Sequence, residues 1–200
     1  MSRVVCDISI SVDGYAAGLG QTLEKPFGDG AVEEHLHAWM FDTPEESPDE
    51  LAAITAAGAF IMGRNMFGPG RGEWDLDWTG WWGPEPPYHR PVFVLTHHPR
   101  EPVEMAGGTT FNFVTDGIES ALEQARAAAE GGNVAVAGGA ATVNQYLSAG
   151  LLDELRTHVA PVALGGGERL FRGVPPLALE VASVRPVSQT THVTYRPRRL

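Results

Sequence analysis

Cysteine and lysine are almost missing from this 200-residue chain, which holds one of each, Cys6 and Lys25. A lone cysteine cannot form an internal disulfide, and Cys6 stands in an apolar run, so a reducing compartment is expected. Every other cation is arginine, which in an alanine- and glycine-heavy sequence reads as the coding bias of a GC-rich bacterial genome. Basic charge is scarce altogether: 14 Lys and Arg against 25 Asp and Glu leave a net charge of −11. Such a surface repels phosphate backbones and anionic lipid headgroups unless a local basic patch intervenes, and Arg64, Arg71, Arg90 and Arg100 form no run. The C-terminal Arg196, Arg198 and Arg199 read as a solvated terminus. No nucleic-acid or membrane partner is therefore expected. No apolar run approaches the roughly 18 residues of a membrane span, and nothing resembles an export signal, so a soluble, cytoplasmic location is expected. With 43% hydrophobic and 20% charged residues the chain can bury a core. It shows no internal repeat, linker or second composition class, so residues 1–200 are expected to form one domain.

What is present reads as alternating strand and helix. Residues 3–12 alternate polar and β-branched side chains at the period of a strand, broken by Asp13-Gly14. Residues 31–41 carry Val32, Leu36, Trp39 and Met40 at helical spacing, with Asp29 as a candidate N-cap. A second helix fits 49–57, with Ser47-Pro48 as its start and Gly58 as its stop. Residues 59–62 form a short apolar run suited to a strand buried on both faces. Residues 68–91 then change to Gly, Pro and Trp without usable periodicity. That is a long loop which its tryptophans argue is ordered. Strands are expected at 91–96, 109–114, 133–137 and 153–164, helices at 118–130 and 141–149, and a closing hairpin at 177–187 and 190–196. The pattern is that of an α/β fold with a mixed, mostly parallel central sheet flanked by helices and antiparallel strands added at one edge.

The sharpest chemical feature is Val134-Ala135-Val136-Ala137-Gly138-Gly139-Ala140-Ala141-Thr142. A buried strand ends in two glycines and turns into a helix, so free backbone N–H groups and the positive end of the helix dipole face an anion site. The same pattern can also serve tight packing alone. It is not a G-x-G-x-x-G fingerprint, and no G-x-x-x-x-G-K-[ST] loop occurs anywhere. Met62-Gly63-Arg64-Asn65-Met66-Phe67 is a second strand-to-helix junction, whose arginine offers a planar fork to a phosphate, and Leu95-Thr96-His97-His98 is a third. Three such strand ends point to one extended anionic ligand across the carboxyl edge of the sheet. The pairs His35/His37 and His97/His98 put no two rings on one helix face and lack a completing cluster, so no metal site is expected.

These segments, with Ser11-Val12-Asp13-Gly14-Tyr15-Ala16-Ala17-Gly18 before them and residues 150–171, GLLDELRTHVAPVALGGGERLF, after them, occur in an order that resembles the dihydrofolate reductase-like superfamily. Within it the chain is most similar to the branch of the C-terminal reductase domain of the bacterial riboflavin-biosynthesis deaminase/reductase. The resemblance spans nearly the whole chain. It implies an NADPH-dependent reductase acting on a small heterocyclic or carbonyl substrate, and a homodimer paired through the C-terminal strands. By position it implies that Gly138, Gly139 and Ala140, with Thr142 in the same turn, meet the cofactor diphosphate. Arg64, Thr96 and His97 would surround the adenosine 2′-phosphate, Gly63 and Asn65 would also belong to the cofactor site, and Ala17 and Gly18 would lie by the nicotinamide. It also implies a cis bond between Gly138 and Gly139. Met66 departs from the family, where a threonine two residues after the arginine supplies a hydroxyl.

Hydride transfer needs no protein nucleophile, but the acceptor must be oriented and given a proton. Asp13, Glu33, Glu34 and Asp42 are the carboxyl candidates, with Asp13 taken as the catalytic contact, although an aspartate there can equally cap its own turn. Trp39, Trp81 and Trp82 are candidates to stack on a flat substrate or cover it, and equally to staple the long loop to the core. Two alternatives stand beside the reductase reading. One is a non-catalytic nucleotide-binding module of the same fold. The other is the 5-amino-6-(5-phosphoribosylamino)uracil reductase step of riboflavin synthesis, disfavoured by the missing deaminase domain and the lack of a basic pocket beyond Arg64. Classical folate reduction is disfavoured because the early proline-tryptophan pattern is missing after Gly20.

Overall fold

The alternating residues near the start of the chain form the strand around which the sheet is built. A computed structural model describes residues 2–29 and 32–200. In chain order its elements are β1 (Val4–Ser11), β2 (Tyr15–Ala17), α1 (Val32–Leu36), α2 (Ala38–Phe41), α3 (Pro48–Thr55), β3 (Ala59–Gly63), α4 (Arg64–Phe67), β4 (Pro91–Leu95), β5 (Val103–Glu104), β6 (Thr110–Val114), α5 (Ile118–Ala128), β7 (Val134–Gly138), α6 (Ala140–Ala149), β8 (Glu154–Ala160), β9 (Glu168–Arg169), β10 (Leu177–Pro186) and β11 (Thr191–Arg199). The main sheet has nine strands in the order β10-β11-β8-β1-β7-β3-β4-β6-β5, and β2 pairs with β9 in a separate two-stranded sheet. From β8 to β6 all neighbours are parallel. β11 and β10 add antiparallel strands at one edge, as expected, and the two-residue β5 adds one at the other.

One face of the sheet carries Val4, Cys6, Ile8 and Ile10 of β1 with Ile61 and Val136, packed under Ala121, Leu122 and Ala125 of α5 and Val143, Tyr146 and Leu147 of α6. Phe60, Met62, Val92, Val94 and Phe111 point the other way, where Phe67 and the tryptophans of the long loop cover them. Farther along that second face Leu36 packs on Ala160, and Trp39 lies against His158 and His192. Burial of these side chains, at about 25 cal/mol per Å² of apolar surface, is what holds the layers together.

The helix expected at 31–41 is two short ones. His37 leaves helical geometry at φ −115°, ψ 7° and lays its ring on Phe27, with centroids 4.5 Å apart. Asp29, the expected cap, is described, but the junction it would cap runs through residues 30 and 31, outside the described residues. The strand expected at 153–164 stops at Ala160. Pro161 has no N–H to continue the ladder, and the Val162 N–H turns back to the Ala160 carbonyl.

The feature that makes a site is a split in the sheet. β1 pairs with β8 along its length, from Val5↔Glu154 to Ser11↔Ala160, but meets β7 only at Val4↔Val134 and Val5↔Ala135. Beyond Val5 the two strands diverge, and the sheet opens at its carboxyl edge, where open α/β sheets place ligands.

Candidate functional site

The split leads into a cleft of about 860 Å³ lined by the ends of β3, β4 and β7, the segment after β2, and part of the tryptophan loop. That volume suits a cofactor-sized ligand. At its centre the Gly138–Gly139 peptide is cis, and Gly139 caps α6. The Thr142 and Val143 N–H groups both donate to the Gly139 carbonyl, so the N–H groups of Ala140 and Ala141 are left without helix carbonyls at the cleft wall. A Cβ built on Gly139 would meet nothing within 4 Å, whereas one on Gly63 would overlap the Thr142 hydroxyl. Gly139 thus leaves open space for a ligand, while Gly63 lets β3 approach α6. Met66 brings its sulfur to within 3.3 Å of a Cβ position on Gly138, an apolar contact at the cleft wall.

Arg64, Asn65 and Arg71 form the wall beyond β3. The Arg64 guanidinium stacks on Trp74 at 3.9 Å from the ring centroid, and its Nη2 donates to the Glu73 carbonyl. Its Nε is buried with no partner. Burial, and then repulsion from Arg71, pulls its pKa down. Arg71 Nη1 donates to Asn65 Oδ1 at 2.6 Å. Arg71 was not singled out by sequence, because nothing local marks it; only the fold returns it to the wall. Thr96 is buried and accepts the His98 N–H, and His97 stands exposed at the rim.

Ala17 and Gly18 line the other side. A Cβ on Gly18 would overlap the Asp29 carbonyl, and Gly167, at φ +136°, is held against the Ala17 carbonyl, so the small sheet fits only with glycine at both places. Trp81 and Trp82 also line the cleft. Trp82 packs on Tyr88 and Phe111, and Trp81 on Trp78, so both anchor the loop as well.

Two expected site residues are elsewhere. Asp13 does not line the cleft. Its carboxylate accepts the Ser11 hydroxyl and the Leu164 and Gly165 N–H groups, tying the turn after β1 to the glycine run, and these bonds hold its pKa down at about 2. It caps a turn. Trp39 is 1% exposed, with its ring over His158 and His192 and its Nε1 donating to Ser9 Oγ at 3.0 Å, so it belongs to the core. Glu34 and Asp42 are exposed and away from the cleft wall, and the Glu33 side chain lies outside the described residues.

Two carboxylates do line the cleft, Glu168 of β9 and, on the main sheet, Asp7. Asp7 sits on the second face of β1 with Ser9 and Ser11, next to Arg156 and His158 of β8, and His158 in turn faces His192 of β11. Arg156 Nη2 lies 3.0 Å from Asp7 Oδ2 and His158 Nε2 lies 3.5 Å from Asp7 Oδ1. His158 Nδ1 and His192 Nδ1 are 2.7 Å apart, and His192 Nε2 is 2.9 Å from Ser47 Oγ. Asp7 Oδ1 and His158 Nε2 are both buried without a closer partner, a state that costs roughly 1–3 kcal/mol per group unless they serve each other. The sequence carried a trace of this cluster: polar Asp7 and Ser9 at alternate positions of a strand that becomes central in its sheet. Among the described residues no group of three His, Cys, Asp or Glu is arranged to hold a metal, and no helix is long and apolar enough to cross a membrane.

The family model of the RibD C-terminal domain matches residues 2–193. Among solved structures, a Shewanella sp. PV-4 protein assigned to riboflavin biosynthesis is similar at a TM-score of 0.68 and 23% identity, over 98% of this chain and 99% of that one. RibD of Acinetobacter baumannii is similar at 0.59 and 15% over all of this chain and 59% of its own length. Dihydrofolate reductase of Enterococcus faecalis, complexed with NADP(H), is similar at 0.58 and 16%, over 98% of this chain and 96% of that one. No curated protein matches the chain.

Proposed function

The chain belongs to the RibD C-terminal domain family, and from that premise we propose that it is an NADPH-dependent reductase of a small heterocyclic or carbonyl substrate, acting as one domain over residues 1–200. The observation that carries this reading is the β7–α6 turn. Open space at Gly139 and the unpaired N–H groups of Ala140 and Ala141 fit a diphosphate, and the buried, unpartnered Nε of Arg64 fits a further anion on the neighbouring wall.

Gly138, Gly139, Ala140 and Thr142 hold the diphosphate end. Arg64, with Arg71 beside it and Gly63, Asn65, Thr96 and His97 around it, takes the 2′-phosphate, and Ala17 and Gly18 bound the nicotinamide. Bound there, the reduced nicotinamide supplies a hydride; the chain's part is to orient the acceptor, exclude water and handle its proton. Trp81, Trp82 and Phe27 give the substrate side flat apolar walls. A homodimer in the cytoplasm completes the reading. The dedicated riboflavin step is the narrower alternative, favoured by the family itself.

Titration with NADPH and NADH, followed by tryptophan fluorescence, tests it. NADPH should bind more tightly, and Arg64→Ala should weaken NADPH more than NADH by about 1.5–3 kcal/mol, as for a charged hydrogen-bonded contact. No quenching by either nucleotide overturns the reductase reading, and equal affinity for both removes Arg64 from the 2′-phosphate.

A further inference from the structure

A carboxylate in the cleft floor has a chain of hydrogen-bonding groups behind it that the cofactor reading does not use. We propose that Asp7 is the group that holds the acceptor's proton, and that Ser47, His192 and His158 form a donor chain that positions its carboxylate. The proposal rests on the reductase reading for its electron source and on geometry alone for the residues.

The direction of the chain follows from chemistry. Two imidazole nitrogens 2.7 Å apart share one proton, so one ring is protonated at Nδ1 and the other accepts there. When the Ser47 hydroxyl donates to His192 Nε2, the proton of His192 lies on Nδ1 and donates to His158. His158 then carries its own proton on Nε2, which faces Asp7 Oδ1. Each donor points toward Asp7, and the two buried atoms without a hydrogen bond, Asp7 Oδ1 and His158 Nε2, face each other across 3.5 Å, close enough for the N–H dipole to act on the carboxylate. Trp39 seals the pair, with its ring 4.4 Å from His158 and 5.0 Å from His192.

Oδ1 is thereby fixed from behind, and Oδ2 is left to serve the cleft beside Arg156. As the acceptor carbon gains a hydride, its heteroatom must gain a proton. Asp7 takes that proton from solvent on Oδ2; its O–H bond breaks as the heteroatom–H bond forms, and Asp7 is left as a carboxylate paired with Arg156 Nη2. The other charged groups around the chain are accounted for. Glu154 faces Arg156, His37 of the α1–α2 junction faces His158, and Glu50 and Arg185 face His192. Burial, and then the neighbouring His158, holds His192 down at about 4, so the ring is neutral at pH 7.

The test is run on cofactor-free full-length protein, so that it does not depend on NADPH binding. Nitrogen-15 NMR of labelled histidine should show two neutral rings of opposite tautomer at pH 7, His192 protonated on Nδ1 and His158 on Nε2. Ser47→Ala should lose that preference and Ser47→Thr, which keeps the hydroxyl, should restore it. As a ligand probe, 2,4-diaminopyrimidine takes up a ring proton and then offers its charged ring N–H to Asp7 Oδ2, with a change in ultraviolet absorbance. It should bind the wild type in its protonated form, and Asp7→Asn should weaken it at least tenfold. Circular dichroism and NADPH quenching check that the variant is folded. His158 protonated on Nδ1, a charged imidazolium at pH 7, no probe binding by the wild type, or equal binding by Asp7→Asn overturns the proposal. Loss of NADPH quenching in the wild type overturns the reductase reading and leaves the tautomer result standing.

Discussion

Burial is the main force on the histidines behind the cleft. His37 and His192 are both held down at about 4 in the folded chain, in each case by burial first and then by His158. The unfolded chain binds protons on them near pH 6.5, whereas the fold resists until about 4, so stability falls as pH drops through that window. His192, 6% exposed, should alone cost about 2 kcal/mol on going from pH 7 to pH 5. Urea unfolding at the two pH values measures the loss, and His192→Gln should make the curve flatter. Asp13 works in the same sense but lower down. Its depressed pKa supports the fold above about 4, and that support is lost as pH falls toward 2.

Among elements, the tryptophan loop is ordered by its aromatic anchors. Trp78 Nε1 donates to the Phe67 carbonyl at 2.9 Å and Trp74 Nε1 to the His98 carbonyl at 2.7 Å, and Gly68 lies so close under Trp78 that a Cβ there would overlap the indole. Trp78→Phe removes one anchor and leaves the Phe67 carbonyl unpaired at a loss of roughly 1–3 kcal/mol. Cleavage between residues 68 and 90 by limited proteolysis should speed up severalfold while the sheet amides keep their hydrogen-exchange protection. This loop also marks the limit of what sequence conveys. Apolar runs such as Ala59-Phe60-Ile61-Met62 announced buried strands, and Gly138-Gly139 announced the turn from strand into helix, because local composition determines both. Asp7 escaped notice because its value depends on where β1 parts from β7, a matter of pairing between residues more than a hundred positions apart. For Asp13 the sequence left a turn cap and a catalytic contact side by side for a related reason: the partners that favour the cap, at Leu164 and Gly165, are equally remote.

For the molecule as a whole, a net charge of −11 sets an anionic ligand against the protein's overall field, while Arg64 and Arg71 act only at close range. Added salt screens that repulsion. The association rate of NADPH in stopped-flow fluorescence should therefore hold steady or rise between low and physiological ionic strength, and a steep fall would show that long-range attraction governs capture.

The place of β1 governs how the molecule must be made. Residues 4–11 are translated before every other strand, yet their neighbours are residues 134–135 and 154–160, and β8 is in turn covered by residues 191–195. Pairings of such long range are slow to form, because loop-closure entropy must be met before any contact rewards it. During synthesis the β3–β4–β6 run can assemble while the apolar β1 waits unpaired, a natural client for a chaperone. An inner strand of the finished sheet is thus the first to be synthesised and among the last to find its neighbours, and the cleft that its divergence creates exists only once nearly the whole chain has emerged.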